Sequence, residues 1–178
     1  MDALSGATIR PATEADLPSL HALVESAYRG DSARAGWTHE ADILGGPRID
    51  AAALRHALHD AERILLVAEL DGAIVGSVET IDRRRGVAYL GLLSVDPERQ
   101  GDGLGKRLVA AAQAAARDRF AAVRMEMTVI AEREPLIAWY ERLGYRRTGE
   151  IRPFPHAVEG VTFHRGTPPE MVVLDRAL

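Results

Sequence analysis

The chain has 178 residues, of which nearly half are apolar and about a quarter are charged, an ordinary composition for one globular domain. It contains no cysteine, which excludes disulfides, a thiolate nucleophile and any zinc site with a cysteine ligand. The net charge of −4 argues against nucleic acid as the main partner. Neither a signal peptide nor a membrane-spanning stretch is recognisable. We therefore expect a single domain over residues 1–178, located in the cytoplasm, with residues 1–6 disordered.

The first half of the chain is predicted to begin with a short strand at residues 8–10 and two helices. Thr13 and Asp16 have the spacing of a capping box, which predicts a helix that starts at Thr13. Its buried face is predicted from apolar residues at helical spacing, namely Leu17, Leu20, Val24 and Ala27. Asp50 is the expected N-cap of the second helix.

Two histidines on that second helix are three residues apart, His56 and His59. A zinc site needs further ligands, and no third one lies nearby in the sequence. We therefore expect no metal site there.

Two segments lack periodicity and are predicted to be long loops, residues 29–49 and 152–169. Trp37 in the first loop is expected either to anchor the loop on the core or to form a wall of an acceptor pocket. Glu40 and Asp42 are nearby candidates to meet a cationic amine, although surface carboxylates are more often solvated. Both loops are expected to close over a cleft.

The central part of the chain is predicted to form a sheet. Strands are expected at residues 64–68, 73–80 and 87–95, and the short turns between them favour an antiparallel meander. A helix over 104–120 and a strand over 123–129 follow. The succession of strand, helix and strand implies a crossover and a parallel strand pair. The last elements are predicted as a helix from Pro135 to Leu143 and strands over 145–151 and 171–174.

The most informative stretch joins the third strand to the long helix. It reads Leu93-Ser94-Val95-Asp96-Pro97-Glu98-Arg99-Gln100-Gly101-Asp102-Gly103-Leu104-Gly105-Lys106. Alternating glycines permit a tight turn and close approach of a ligand, and the N–H groups and dipole at a helix N-terminus favour an anion. The spacing fits neither a P-loop nor a dinucleotide-binding fingerprint. We predict that this turn binds a pyrophosphate.

The spacing Q-x-x-G-x-G at Gln100, Gly103 and Gly105 resembles motif A of the GNAT family of N-acetyltransferases. Residues 139–145, Trp-Tyr-Glu-Arg-Leu-Gly-Tyr, resemble motif B of the same family. The resemblance covers about residues 7–175. It implies an α/β fold with a mixed, mostly antiparallel sheet, a central parallel strand pair that splays around the cofactor, and helices on both faces.

The resemblance also implies a reaction and a set of site residues. An acetyl group would pass from acetyl-CoA directly to a primary amine, without a metal and without a covalent enzyme intermediate. The pantetheine arm would pair with backbone groups of Leu93, Ser94 and Val95. The pyrophosphate would be held by Gln100, Gly101, Asp102, Gly103, Leu104, Gly105 and Lys106. Tyr140 would protonate the leaving thiolate, unless it is only a packed aromatic residue.

One position departs from the family pattern. The family often has asparagine seven residues before the motif B tyrosine, and this chain has Arg133 there. The usual asparagine contact with the pantetheine arm is therefore absent, and we assign Arg133 to the cofactor, near its phosphates.

The sequence does not decide which residue is the general base or which molecule is the acceptor. Glu79 is the first candidate for the base and Glu126 the second. Strand alternation places Arg124, Glu126 and Thr128 on one face and Met125, Met127 and Val129 on the other. A small amine or an amino-acid-like molecule is the preferred acceptor, with Trp37 and Glu40 in its site. The alternatives are a peptide N-terminus, a lysine side chain, or a non-catalytic acyl-CoA-binding module. A homodimer is also expected.

Overall fold

A seven-stranded mixed sheet runs through the described part of the chain, which in this computed structural model is residues 6–155 and 159–178. Disorder is expected for residues 1–6; of these, residues 1–5 lie outside the described part and Gly6 lies within it. The strands are β1 (Thr8–Pro11), β2 (Leu44–Gly45), β3 (Arg63–Leu70), β4 (Ala73–Asp82), β5 (Val87–Val95), β6 (Arg124–Ile130), β7 (Arg146–Pro153), β8 (Thr162–Phe163) and β9 (Glu170–Ala177). The helices are α1 (Leu17–Tyr28), α2 (Gly30–Ala33), α3 (Ala51–His59), α4 (Leu104–Phe120) and α5 (Glu134–Arg142).

The sheet has the order β1-β3-β4-β5-β6-β9-β7. Every neighbouring pair is antiparallel except β5 and β6, which are parallel. This confirms the predicted meander, the parallel crossover and the mixed fold class. The parallel pairing extends only from Val87 to Tyr89 on β5, opposite Arg124 to Glu126 on β6. Beyond Tyr89 the two strands separate, as the resemblance implied.

The helices cover the two faces of the sheet, and β3 shows why. Its side chains alternate, so Leu66 and Ala68 belong to the larger core, which includes α4. Leu65 and Val67 belong to a second core on the other face, with α1 and α3. The apolar stripe predicted for α1 is buried there. Burial of both faces explains why this strand is a continuous apolar run.

The start of α1 confirms the predicted capping box. Thr13 and Asp16 exchange the expected hydrogen bonds, although the chain first forms a short 3₁₀ turn over Glu14–Asp16 before α1 begins. The Asp16 carboxylate also accepts hydrogen bonds from Arg10 Nη1 at 2.7 Å and Nη2 at 2.8 Å. Hydrogen bonds from Arg10 hold the pKa of Asp16 below its usual range, against the opposing effect of burial. This network connects β1 to α1.

We expect Asp16→Asn to lower the free energy of unfolding at pH 7 by about 2 kcal/mol, because charge-assisted hydrogen bonds are lost. Since the pKa of Asp16 is depressed in the folded state, this stabilisation is present above the unfolded pKa of about 3.9 and is lost as the pH falls below it. Urea titrations at pH 7 and at about pH 3 measure the difference. Asp31→Asn is the control, since the Asp31 side chain is fully exposed. An equal deficit at both pH values would contradict the prediction.

The two predicted loops contain short elements that the sequence did not reveal, and these join the loops together. The first loop contains α2 and β2, and the second contains β8. Leu44 pairs with Phe163 and Gly45 with Thr162 in a separate two-stranded sheet. None of the helices in the described ranges is long and apolar enough to cross a bilayer.

Candidate active site

A cavity of about 260 Å³ runs along the glycine turn. Its floor is the end of β5, and one wall is the side of α5 that carries Trp139 and Tyr140. The predicted cofactor residues on its lining are Leu93, Ser94, Val95, Gln100, Gly101, Gly103, Leu104, Gly105, Lys106 and Arg133. Asp102 is the one predicted residue of the turn that does not line it.

The backbone of the turn is arranged to receive an anion. Gly101 has φ +101° and Gly103 φ +77°, a region that favours glycine, and a Cβ on either would meet no atom within 4 Å. Within the described residues, the backbone N–H groups from Gln100 to Lys106 donate no hydrogen bond. Lys106 borders the cavity, whereas Arg107 donates to the Ala7 carbonyl instead. The turn therefore offers free donors at the N-terminus of α4.

The Gln100 side chain connects the turn to the first loop. Its Oε1 accepts a hydrogen bond from the Trp37 backbone N–H at 3.0 Å, and its Nε2 donates to the Val95 carbonyl at 3.3 Å. A Cβ on Gly36 would lie 2.5 Å from Gln100 Oε1, so a larger residue there would displace the Gln100 amide. The side chain of Gln100 thus holds the loop and the strand end together.

A bulge in β5 lies beside the cavity. The pairing register with β4 shifts between Ser77 and Glu79, and Leu92 has φ +45°. The hydroxyl of Tyr28 donates to the Leu93 carbonyl at 2.7 Å. The carbonyl that the resemblance assigned to the pantetheine arm therefore already has one donor, and its second lone pair remains.

A second cavity of about 130 Å³ occupies the space where β5 and β6 separate. Residues of the second loop, Phe154 and Val161, form part of its lining. The two cavities share one group of lining residues, namely Tyr28, Leu93, Arg133, Leu136 and Tyr140. The cavities therefore meet at the bulged part of β5.

Tyr140 stands at this junction. It is 5% exposed, and its ring packs edge-on against Trp139 and Tyr145 with centroids 4.9 and 5.8 Å away. No described residue forms a hydrogen bond with its hydroxyl. Burial raises the pKa of this phenol well above its usual value. Tyr140 is therefore a protonated donor without a protein partner in the described part of the chain.

Trp37 lines the glycine-turn cavity and not the second cavity. Its side chain is 48% exposed and lies 6.3 Å from Trp139 between ring centroids. Trp37 therefore lies on the side of the predicted pyrophosphate site, and its part in an acceptor pocket stays a prediction.

Glu40 lines the second cavity but is already paired. It is 7% exposed and forms ion pairs with Arg29 and, at 3.1 Å, with Arg133. Burial acts to raise the pKa of Glu40, but the charges of Arg48, Arg133 and Arg29 outweigh it, and the pKa lies below its usual range. Among the nearby carboxylates, Asp42 is exposed and pairs with Arg34. Glu40 is thus a structural anion and a weak base.

The guanidinium of Arg133 is hydrogen-bonded to the first loop. Its Nη1 donates to Glu40, and its Nη2 donates to Thr38 Oγ1 at 2.7 Å. It borders both cavities, but the described contacts of its guanidinium are with the first loop, not with the turn. That Arg133 lies near the phosphates of the cofactor stays a prediction.

The two candidate bases lie outside both cavities. Glu79 Oε1 accepts from Arg63 Nη1 at 2.8 Å, and Glu126 accepts from Arg152 Nη1 at 3.0 Å. The alternation predicted for β6 is confirmed, because Met125, Met127 and Val129 are buried in the larger core. Glu79 lies near Gly91, a lining residue of the second cavity, since a Cβ added to Gly91 would lie 3.3 Å from Glu79 Oε2.

Sequence reasoning missed the residues that give the second cavity its charge. Arg29 and Arg48 both line it, together with Tyr28. They lie in or beside a loop without periodicity, so no pattern indicated where their side chains would lie. The only local signal was the Gly45-Gly46-Pro47 turn immediately before Arg48.

Comparisons with known proteins identify the family. The sequence profile of the acetyltransferase (GNAT) family matches residues 19–145. The chain belongs to the GNAT family. It is 34% identical over 96 residues to a blasticidin-S acetyltransferase from Streptomyces morookaense, a match that covers 54% of this chain and 63% of that protein. It is 39% identical over 92 residues to a mycothiol acetyltransferase from Salinispora tropica, covering 49% of this chain and 30% of that protein.

Solved structures of the GNAT family share this fold. A spermidine N-acetyltransferase from Vibrio cholerae, in complex with CoA and spermine, superposes with a TM-score of 0.67 at 20% identity. The match covers 97% of this chain and 96% of that structure. At this identity the likeness supports the fold and not the choice of acceptor.

Proposed function

We propose that this GNAT protein transfers an acetyl group from acetyl-CoA to the primary amine of a small molecule. The observation that carries the proposal is the junction of the two cavities. One cavity ends in free backbone donors suited to a pyrophosphate, the other lies between β5 and β6, and Tyr140 borders both. A donor molecule and an acceptor would meet at that phenol.

The glycine-turn cavity fits acetyl-CoA. Its unpaired N–H groups from Gln100 to Lys106 suit the pyrophosphate, and the separated part of β5 leaves backbone groups near Leu93 for an extended arm. Acetyl-CoA carries the acetyl group as a thioester, and CoA leaves as a thiol after the transfer. The Tyr140 hydroxyl, kept protonated by burial, donates a proton or a hydrogen bond to the departing sulfur.

The acceptor amine must lose its proton before it can attack a carbonyl. No carboxylate with a raised pKa lines the second cavity within the described ranges. Arg29, Arg48 and Arg133 line it instead, and positive charges nearby lower the pKa of an ammonium group. We infer that the cavity favours the neutral amine through this field, and that a water molecule accepts the proton.

The position of the second cavity beneath both loops supports a small acceptor over a peptide. The pairing of β2 with β8 joins the two loops, and Phe154 and Val161 of the second loop line the cavity. A protein side chain or N-terminus would need those loops to separate.

The deciding experiment is a calorimetric titration with acetyl-CoA, followed by thiol release with a panel of amines. Saturable binding together with amine-dependent release of CoA supports the acetyltransferase. Binding without release by any amine favours the acyl-CoA-binding module. No binding by the folded protein would contradict both.

A further inference from the structure

We propose that the acceptor carries a carboxylate next to its amine, as an amino acid does, and that Arg48 binds this carboxylate. The proposal rests on the proposed acetyltransferase function and specifies its substrate class. It follows from the position, partners and charge of Arg48.

Arg48 is held firmly at the wall of the second cavity. The backbone N–H groups of Arg48 and Ile49 both donate to Glu25 Oε1, at 2.8 and 2.9 Å. The Arg48 guanidinium carbon lies 4.8 Å from the centroid of the Tyr28 ring. The hydroxyl of the same tyrosine donates to the Leu93 carbonyl, so the Tyr28 ring connects the Arg48 guanidinium to the bulged part of β5.

The donors of Arg48 are not used by the described protein. Arg29 and Arg133 both pair with Glu40, whereas no described residue forms a hydrogen bond or an ion pair with the Arg48 side chain. An arginine fork is suited to bind a carboxylate through two parallel hydrogen bonds. A partly buried guanidinium with free donors that lines a cavity is therefore a binding group for an anion.

The charge of the second cavity also favours an acceptor that carries a carboxylate. Its charged lining consists of Arg29, Arg48 and Arg133 against the single carboxylate of Glu40. An acceptor that is only cationic would enter against this charge. An amino acid would instead neutralise Arg48 with its carboxylate, while the same arginines favour the neutral form of its amine.

The test uses matched acceptors that differ only in the carboxylate. Leucine, leucinamide and 3-methylbutylamine form one set, and methionine, methioninamide and 3-(methylthio)propylamine form another. Thiol release from acetyl-CoA gives kcat/KM for each. We expect the intact protein to prefer the amino acids by about 10-fold or more, which is the effect of losing charge-assisted hydrogen bonds.

Arg48→Ala should remove this preference, with a loss of about 10- to 100-fold for the amino acids and a clearly smaller loss for the carboxylate-free amines, which lose only the effect of the Arg48 charge on the amine. Arg48→Lys should recover part of the loss, because it keeps the charge without the fork. Arg119→Ala, an exposed arginine on α4, is the charge control and should behave like the unchanged protein. Acetyl-CoA affinity and the melting temperature show whether each variant is folded.

Equal or better use of the carboxylate-free amines by the unchanged protein would overturn the proposal. So would an equal loss on both kinds of acceptor in Arg48→Ala. If no amine is acetylated, the proposed function fails, and a binding measurement tests the present proposal separately. It compares the affinities of the CoA-loaded protein for N-acetylleucine and for N-acetylleucinamide. Binding that depends on the carboxylate and on Arg48 supports it, and its absence overturns it.

Discussion

Gly103→Glu is expected to weaken acetyl-CoA binding by at least about 100-fold, because like charges held together in a binding site cost several kcal/mol. Gly103 lines the glycine-turn cavity and has open space where a Cβ would be. A glutamate there has room to project into the cavity and would oppose the pyrophosphate. Calorimetric titration with acetyl-CoA measures the loss, and circular dichroism shows that α4 is still folded.

Gly103→Ala separates this charge effect from backbone strain. Since Gly103 has φ +77°, any other residue there is strained, at a cost of about 1–2 kcal/mol. The alanine variant carries that strain without a carboxylate and should bind acetyl-CoA far more tightly than the glutamate variant. Equal affinities for the two variants would show that the turn does not hold the pyrophosphate.

The geometry of the glycine turn was predictable because it depends on the local backbone. Three alternating glycines and a following helix specify local geometry, and the structure gives free N–H groups where the sequence placed them. The strands and long helices were predictable for a similar reason, since their side-chain periodicity is local. The predicted helix over residues 104–120 coincides with α4.

The short elements could not be predicted because distant residues stabilise them. β2 and β8 have two residues each and exist only as partners of one another. A two-residue strand has no periodicity to detect. The same holds for the ion pair of Glu40 with Arg133, whose members are 93 residues apart.

Glu79 and Glu40 illustrate the limit for site residues. Residue type alone made both plausible in an amine site, but each carboxylate is already paired with an arginine. Which residues a side chain contacts depends on how the loops and strands pack together. The positive charge of the second cavity, and with it the role of Arg48, emerges only from that packing.

Tyr140→Phe should lower kcat by about 10²- to 10³-fold while leaving the affinity for acetyl-CoA unchanged, because general acid catalysis contributes on this scale. The substitution removes only the hydroxyl, and that hydroxyl has no described protein partner to lose. Since the ring contacts with Trp139 and Tyr145 remain, stability should change little. Initial rates of thiol release and a calorimetric titration measure the two effects.

Tyr145→Phe is the matched control for Tyr140→Phe. Tyr145 is also buried on the same side of the sheet, but its hydroxyl accepts a hydrogen bond from Gln113 Nε2 at 3.0 Å and lines neither cavity. Loss of the Tyr145 hydroxyl should lower the stability of the protein and leave kcat unchanged.

The pH profile of the rate is a second check on Tyr140. Because burial raises the pKa of Tyr140, its phenol stays protonated, and the rate should not fall as the pH approaches about 10, the ordinary pKa of tyrosine. An unchanged kcat in Tyr140→Phe would remove this residue from the mechanism.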